Sequence, residues 1–126
     1  MLDASVIAKL IMREEDYYRA AKEIELDGET LDLALMEVSN VVLKYYRRGE
    51  ITLQEAWEKL EELIKLSSTL KVLRFRDFLK EAFELATSVD ITIYDSLYII
   101  SSTKLVTADA KQAEIAKQQG KNVILI

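Results

Sequence analysis

The alternation of short strand-like segments with longer helix-like segments constrains the fold of this chain more than any other feature. A first strand is predicted to end at Asp3, and further strands are predicted at residues 30–33, 70–75, 105–107 and 122–126. Helices are predicted at residues 4–12, 14–26, 35–46, 53–64, 78–89, 92–102 and 110–119, from apolar positions three or four apart. Strands and helices that alternate in this way imply a parallel sheet with helices on both faces. The sequence therefore predicts a three-layer α/β fold.

The length of 126 residues fits a single domain that spans residues 1–126. The hydrophobic content of 50% is enough for one buried core. No apolar run approaches the roughly 18 residues that a membrane-spanning helix needs, so no membrane association is expected.

Cysteine and histidine are both absent from the chain. Their absence excludes disulfides, thiol nucleophiles, Ser-His-Asp triads and zinc fingers, so any chemistry must use carboxylates, hydroxyls, amines or bound cations. The three glycines serve turns and helix ends, which leaves none for a phosphate-binding loop. A chain without cysteine is compatible with the reducing cytoplasm, where we expect this protein to act.

The net charge of −5 argues against nucleic acid as a partner, because proteins that bind nucleic acid are usually basic. The argument loses force if several of the acids bind divalent cations. Lys44, Arg47 and Arg48 form a basic cluster that could contact an RNA backbone. Alternatively, these residues only complement the dipole at the end of their helix.

Asp95 is a charged residue inside the apolar helix predicted at residues 92–102. A buried carboxylate costs several kcal/mol unless it is paired or bound to a metal. Asp3, Glu37 and Asp109 also follow the ends of predicted strands, where open α/β sheets bind their ligands. Four carboxylates that converge there would need cations, and ligands made only of oxygen favour Mg²⁺ or Mn²⁺.

Each of these acids also has a purely structural explanation. Asp3 and Asp109 could each cap the helix that follows them. Asp95 could be the acidic half of a capping box. Glu37 could form a buried hydrogen bond with Asn40, which lies one helical turn further on.

Four short motifs carry a resemblance to a known family: LDAS at residues 2–5, MEVSN at 36–40, TIYDSLYI at 92–99 and TAD at 107–109. In this order and spacing, over essentially the whole chain, they resemble the PIN domain, in particular the short VapC-type toxins of toxin–antitoxin pairs. The resemblance implies a five-stranded parallel sheet with helices on both sides. It also implies a metal-dependent endoribonuclease that forms a homodimer and binds a cognate antitoxin over its active-site groove.

The resemblance further implies a set of site residues. By motif match, the catalytic acids that hold one or two Mg²⁺ or Mn²⁺ ions are Asp3, Glu37, Asp95 and Asp109. The residues that match supporting positions beside them are Ser5, Asn40 and Thr107.

Two other functions are compatible with these residues. A non-catalytic PIN-like interaction module would keep the fold, although it would gain nothing from four acids that repel one another. A phosphoryl-acceptor domain also gathers acids around Mg²⁺, but it needs a lysine after a late strand. Here the strand that ends at Thr107 is followed by Ala108 and Asp109.

Overall fold

The computed structural model describes residues 1–26 and 28–126. The helices of this part of the chain are α1 (Ala4–Ile11), α2 (Tyr17–Leu26), α3 (Leu33–Arg47), α4 (Leu53–Ser67), α5 (Leu79–Ser88), α6 (Ile93–Ser101) and α7 (Ala110–Gln118). The strands that alternate with them are β1 (Glu29–Leu31), β2 (Lys71–Leu73), β3 (Lys104–Thr107) and β4 (Asn122–Leu125). The predicted α/β class is confirmed.

The strands of the described chain form two parallel pairs, β1 with β2 and β3 with β4. Residues 1–3 lie between the two pairs. The main-chain N–H of Leu2 donates to the carbonyl of Glu29 at 2.7 Å, and that of Asp3 donates to the carbonyl of Val106 at 3.1 Å. The strands of the described residues pair as two separate two-stranded ladders, so a continuous five-stranded sheet stays a prediction. The contacts nevertheless place Asp3 beside the C-terminal end of β3.

The core lies around this central segment. Leu2, Ile99, Leu105 and Val106 have no exposed surface, and α1 adds Val6. Each such side chain contributes about 1.5–3 kcal/mol by leaving water. The packing therefore fixes the relative positions of residues 1–3, β3, α1 and α6, the elements from which the acids of interest project.

Helix α2 begins at Tyr17, three residues later than predicted. Arg13 and Asp16 have φ angles of 52° and 62°, in the left-handed region that a helix cannot use. The helix was predicted from Glu14, but residues 13–16 are all charged and supply no apolar position, and the backbone turns there. A turn is also predicted at Asp27-Gly28; it lies outside the described residues because Asp27 is not described.

Strand β4 differs from its prediction as a buried strand. Asn122 is exposed and Leu125 is 43% exposed. The described ladder pairs β4 with β3 on one side only, so the strand lies at an edge. An apolar run alone cannot distinguish an edge strand from a central one.

Helix α4 starts as predicted, with a capping box formed by Thr52 and Glu55. In the described part of the chain, no helix is both long and apolar enough to cross a membrane.

Candidate functional site

Four carboxylates line one cleft of about 230 Å³ at the C-terminal edge of the strands. They belong to Asp3, Glu37, Asp95 and Asp109. The structure thus brings together the four acids that the sequence singles out, although they lie on four different elements. Their catalytic and metal-binding roles stay a prediction.

Asp3 is held by donors from two directions. Its Oδ1 accepts from Ser5 Oγ at 2.6 Å and from the main-chain N–H of Val6 at 3.2 Å, which makes it the N-cap of α1. Its Oδ2 accepts from Thr107 Oγ1 at 2.6 Å. Ser5 Oγ in turn accepts from the N–H of Ala108 at 2.9 Å. Asp3 is therefore both a helix cap and part of the cleft wall.

The carboxyl group of Asp3 is deprived of water. Burial raises its pKa to about 6, even though the hydrogen bonds from Ser5, Thr107 and Val6 lower it. The negative charge of Asp95 raises the pKa further. The cleft therefore disfavours the ionised form of Asp3, as expected for a carboxylate that lacks a cation.

Glu37 is positioned by Tyr98. The hydroxyl of Tyr98 donates to Glu37 Oε2 at 3.1 Å, and burial raises the pKa of Tyr98, so this hydroxyl keeps its proton. Burial raises the pKa of Glu37 to about 7, and the charges of Asp3 and Asp95 add to the effect while the Tyr98 bond opposes it. The bond that Glu37 makes is thus with Tyr98, and the alternative of a buried Glu37–Asn40 bond is wrong. Asn40 is exposed and lies with Glu37 along a neighbouring groove.

Asp95 lies in the first turn of α6, and Asp109 directly precedes α7 as its N-cap. The main-chain N–H of Asp95 donates to Thr92 Oγ1 at 3.2 Å, which caps α6. Asp109 caps α7, because its Oδ1 accepts from the N–H groups of Lys111 and Gln112 at 2.9 and 3.1 Å. Burial, and next the charge of Asp109, raise the pKa of Asp95, whereas the positive charge of Lys111 lowers it. Asp109 therefore combines capping with a place in the cleft, whereas α6 is capped by Thr92 and the described bonds form no capping box with Asp95.

Thr107 and Gln112 connect these acids. Thr107 Oγ1 lies 2.7 Å from Gln112 Oε1 and accepts from the N–H of Asp109 at 3.0 Å. Gln112 Nε2 donates to the main-chain carbonyl of Asp95 at 3.3 Å. The position of Thr107 agrees with the supporting role that the motif implies.

Sequence reasoning missed Tyr98 and Gln112. Both are 1% exposed. Gln112 offered a signal, because it is a polar residue on the face of α7 that also carries the buried Ala116. Tyr98 offered another, because it lies three residues after Asp95 and therefore on the same helical face.

The basic cluster lies apart from the cleft. Lys44, Arg47 and Arg48 are exposed at the C-terminal end of α3, about 10–16 Å along the helix axis from Glu37 at 1.5 Å per residue. Arg48 pairs with Glu50 at 3.2 Å. The structure does not bring these three residues to the acids, so a role in RNA binding stays a prediction.

The donor chemistry of the cleft fits a hard divalent cation. All four side chains offer carboxylate oxygens, and burial, followed by the negative charges of neighbouring acids, raises the pKa of Asp3, Glu37 and Asp95. No three acidic side chains among residues 1–26 and 28–126 are already arranged around one ion position. Mg²⁺ in proteins usually keeps several waters and binds only one or two carboxylates. The cleft therefore fits an ion held by a subset of the acids together with water.

Two comparisons with known proteins cover this site. The sequence matches the family profile described as PIN domain over residues 1–124. It is also 39% identical over 120 residues to a protein named Ribonuclease VapC3 from Pyrobaculum aerophilum, and this alignment covers 90% of the chain and 92% of the relative. The region that matches the profile includes every residue that lines the cleft.

Proposed function

The chain belongs to the PIN domain family and is of the VapC type, and from this premise we propose that it is a metal-dependent endoribonuclease that hydrolyses RNA phosphodiester bonds. The observation that carries the proposal is the meeting of four carboxylates in one cleft. Burial and mutual repulsion disfavour the ionised forms of Asp3, Glu37 and Asp95. A module used only for binding partners would gain nothing from this cost.

The acids divide into ligands and an orienting group. We assign Asp3, Asp95 and Asp109 as direct ligands of one or two Mg²⁺ or Mn²⁺ ions, and Glu37 as a residue that binds directly or through water. Ions at this site would supply an activated water and neutralise charge on the phosphate. Asp3 is held by three donors, so it keeps one orientation. Asp95 is presented by the first turn of α6, and Asp109 by the N-cap position of α7.

Glu37 has one oxygen available for the reaction. Tyr98 engages Oε2, which leaves Oε1 to accept a hydrogen bond from the attacking water. A carboxylate held in this way can orient the water and take its proton, which is the usual task of a general base.

We also propose that residues 1–126 form one domain with a continuous five-stranded parallel sheet in three layers. The hydrogen bonds of Leu2 and Asp3 to both neighbouring strands support this arrangement, with the order β2, β1, residues 1–3, β3, β4.

Homodimerisation, a cognate antitoxin and a cytoplasmic location complete the proposal. An apolar groove of about 260 Å³ between α3 and α4 supports a protein partner, because Tyr46, Leu53 and Trp57 line it and are 38%, 55% and 60% exposed. A second groove, lined by Met36 and Glu37, adjoins the acidic cleft through Glu37.

The decisive experiment incubates the purified protein with mixed RNAs in Mg²⁺, in Mn²⁺ and in EDTA. Cleavage with either ion and none in EDTA is expected. Asp95→Asn, purified in the same way, is the control for contaminating nucleases, and we expect it to be inactive.

Two results would contradict the proposal. Equal cleavage by wild type and Asp95→Asn would assign the activity to a contaminant. No cleavage by wild type in either ion, combined with a stable dimer and no Mn²⁺ binding by calorimetry, would favour the non-catalytic module.

A further inference from the structure

We infer that Gln112 is a positioning residue that sets the distance between the helices presenting Asp95 and Asp109 and joins both to the support of Asp3. The inference deepens the proposed function and rests on it. It gives a role to a buried side chain that lies behind the cleft and does not line it.

Gln112 occupies the centre of a line of hydrogen bonds. Its Oε1 lies 2.7 Å from Thr107 Oγ1, and Thr107 Oγ1 lies 2.6 Å from Asp3 Oδ2. The single hydroxyl proton of Thr107 is therefore shared between these two acceptors and is donated to one of them at a time. On the other side, its Nε2 donates to the main-chain carbonyl of Asp95 at 3.3 Å. The line thus runs from residues 1–3 through β3 and α7 to α6, and it contacts Asp3 through Thr107 and the main chain of Asp95 directly.

The orientation of the Gln112 amide is determined by its partners. The main-chain carbonyl of Asp95 can only accept a hydrogen bond, so the NH₂ group must face it and Oε1 must face Thr107. A reversed amide would place two acceptors against each other at Asp95. Leaving a buried amide without partners is costly, so Gln112 resists any movement of α6 away from α7.

Such a movement would otherwise be favoured by charge. Asp95 and Asp109 are carboxylates presented by the two helices and line the same cleft, so their like charges repel. The side chain of Gln112 opposes this repulsion through its hydrogen bond to α6. Its main-chain N–H donates to Asp109 Oδ1 at 3.1 Å. One residue therefore contacts both the main chain of Asp95 and the carboxylate of Asp109.

The test is Gln112→Met, which keeps the length and burial of the side chain but removes both polar groups. We expect calorimetric titration of the full chain with MnCl₂ to show a Kd raised about tenfold or more, the usual range for losing an outer support of a metal ligand. We also expect kcat for RNA cleavage to fall with little change in KM.

Two controls separate positioning from general stability. Gln118→Met makes the same chemical change at an exposed position of α7 and should leave the Mn²⁺ Kd unchanged. Ile115→Val weakens the buried face of the same helix without touching the hydrogen-bond line. It should lower the melting temperature in EDTA and leave the Kd unchanged.

An Mn²⁺ Kd of Gln112→Met within twofold of wild type would overturn the inference and leave the proposed function intact. Absence of Mn²⁺ binding by the wild type would overturn both. If Gln112→Met does not fold, Gln112→Asn takes its place, because it keeps a buried amide but withdraws it by one methylene. The same weakening is expected, and an unchanged Kd overturns the inference.

Discussion

Thr107 Oγ1 lies 2.6 Å from Asp3 Oδ2, although the two residues are 104 positions apart in the sequence. The hydrogen bond joins residues 1–3 to the end of β3 and is completely buried on the threonine side, where exposure is 0%. Thr107 is one of the three donors to a carboxylate whose pKa burial raises to about 6. The position of Asp3 in the cleft therefore depends on a hydroxyl from the far end of the chain.

Thr107→Val removes this hydroxyl and keeps the shape of the side chain. We expect the free energy of unfolding to fall by about 1–3 kcal/mol, because a buried carboxylate loses a donor. RNA cleavage should fall about 10–100-fold, since Asp3 loses an outer support. Denaturant titration and initial rates measure the two effects. Thr103→Val, at an exposed position just before β3, should change neither; full activity in Thr107→Val would show that Asp3 does not need this support.

Asp95→Asn should abolish cleavage while leaving the melting temperature in metal-free buffer equal or higher. The substitution removes a charge that burial and Asp109 disfavour, and the capping N–H bond to Thr92 comes from the main chain and is kept. Asp90→Asn is the matched control, because Asp90 is fully exposed and pairs only loosely with Lys111 at 3.9 Å. A clear loss of melting temperature with activity retained would contradict the catalytic role of Asp95.

The stability of the metal-free protein should fall as pH rises from about 4 to 7. The folded-state pKa values of Asp3 and Glu37 are raised to about 6 and about 7, above their ordinary values near 3.8 and 4.5. In this window the native state therefore holds protons that the unfolded state has lost, and stability decreases with pH. Denaturant titrations in EDTA at several pH values measure the slope.

Glu37→Gln should flatten this slope, and saturating Mn²⁺ should reverse it, because a bound cation favours the ionised acids. Stability that rises between pH 4 and 7 in EDTA, for wild type and Glu37→Gln alike, would mean that other groups dominate the titration.

Charge reversal of Lys44 and Arg47 tests the basic end of α3. If these residues bind phosphate, the double variant should bind RNA more weakly regardless of sequence, and its log–log salt dependence should flatten by about one unit for each phosphate that is no longer neutralised. Binding is measured with Asp95→Asn in the background so that the RNA stays intact. Lys117→Glu, on the exposed side of α7, is the control. An unchanged salt slope in the double variant would remove this cluster from the interface.

The acids of the cleft could be predicted because each combines two signals that are visible in the sequence. Asp3 ends one predicted strand and Asp109 lies two residues after another, and both precede predicted helices, so one position explains both a cap and a place at the sheet edge. Their convergence follows from the geometry of parallel sheets, in which the C-terminal ends of strands meet at one edge.

The supports of the acids could not be predicted in the same way. Glu37 bonds to Tyr98, 61 residues away, whereas the sequence offered Asn40 as a local partner. Local spacing favours neighbours on the same helix, but the tertiary packing decides which buried donor reaches a carboxylate. Gln112 could not be identified from the sequence for a similar reason, since its hydrogen-bond partners lie on β3 and α6.

Backbone details account for the remaining differences. The positive φ angles at Arg13 and Asp16 delay the start of α2 to Tyr17, and neither residue is a glycine that would have marked the turn. The exposure of β4 depends on its position at an edge beside β3, and the pairing of all the strands determines that position.

The placement of residues 1–3 between β1 and β3 also bears on how the protein is made. A ribosome delivers Asp3 about a hundred residues before it delivers the strand and the hydroxyl that hold it. Closing so long a loop is costly until the final contacts form, so the acids cannot meet while β3 is still unmade. In a nascent chain the cleft is therefore incomplete, and it forms only after the strand that holds Asp3 has been synthesised.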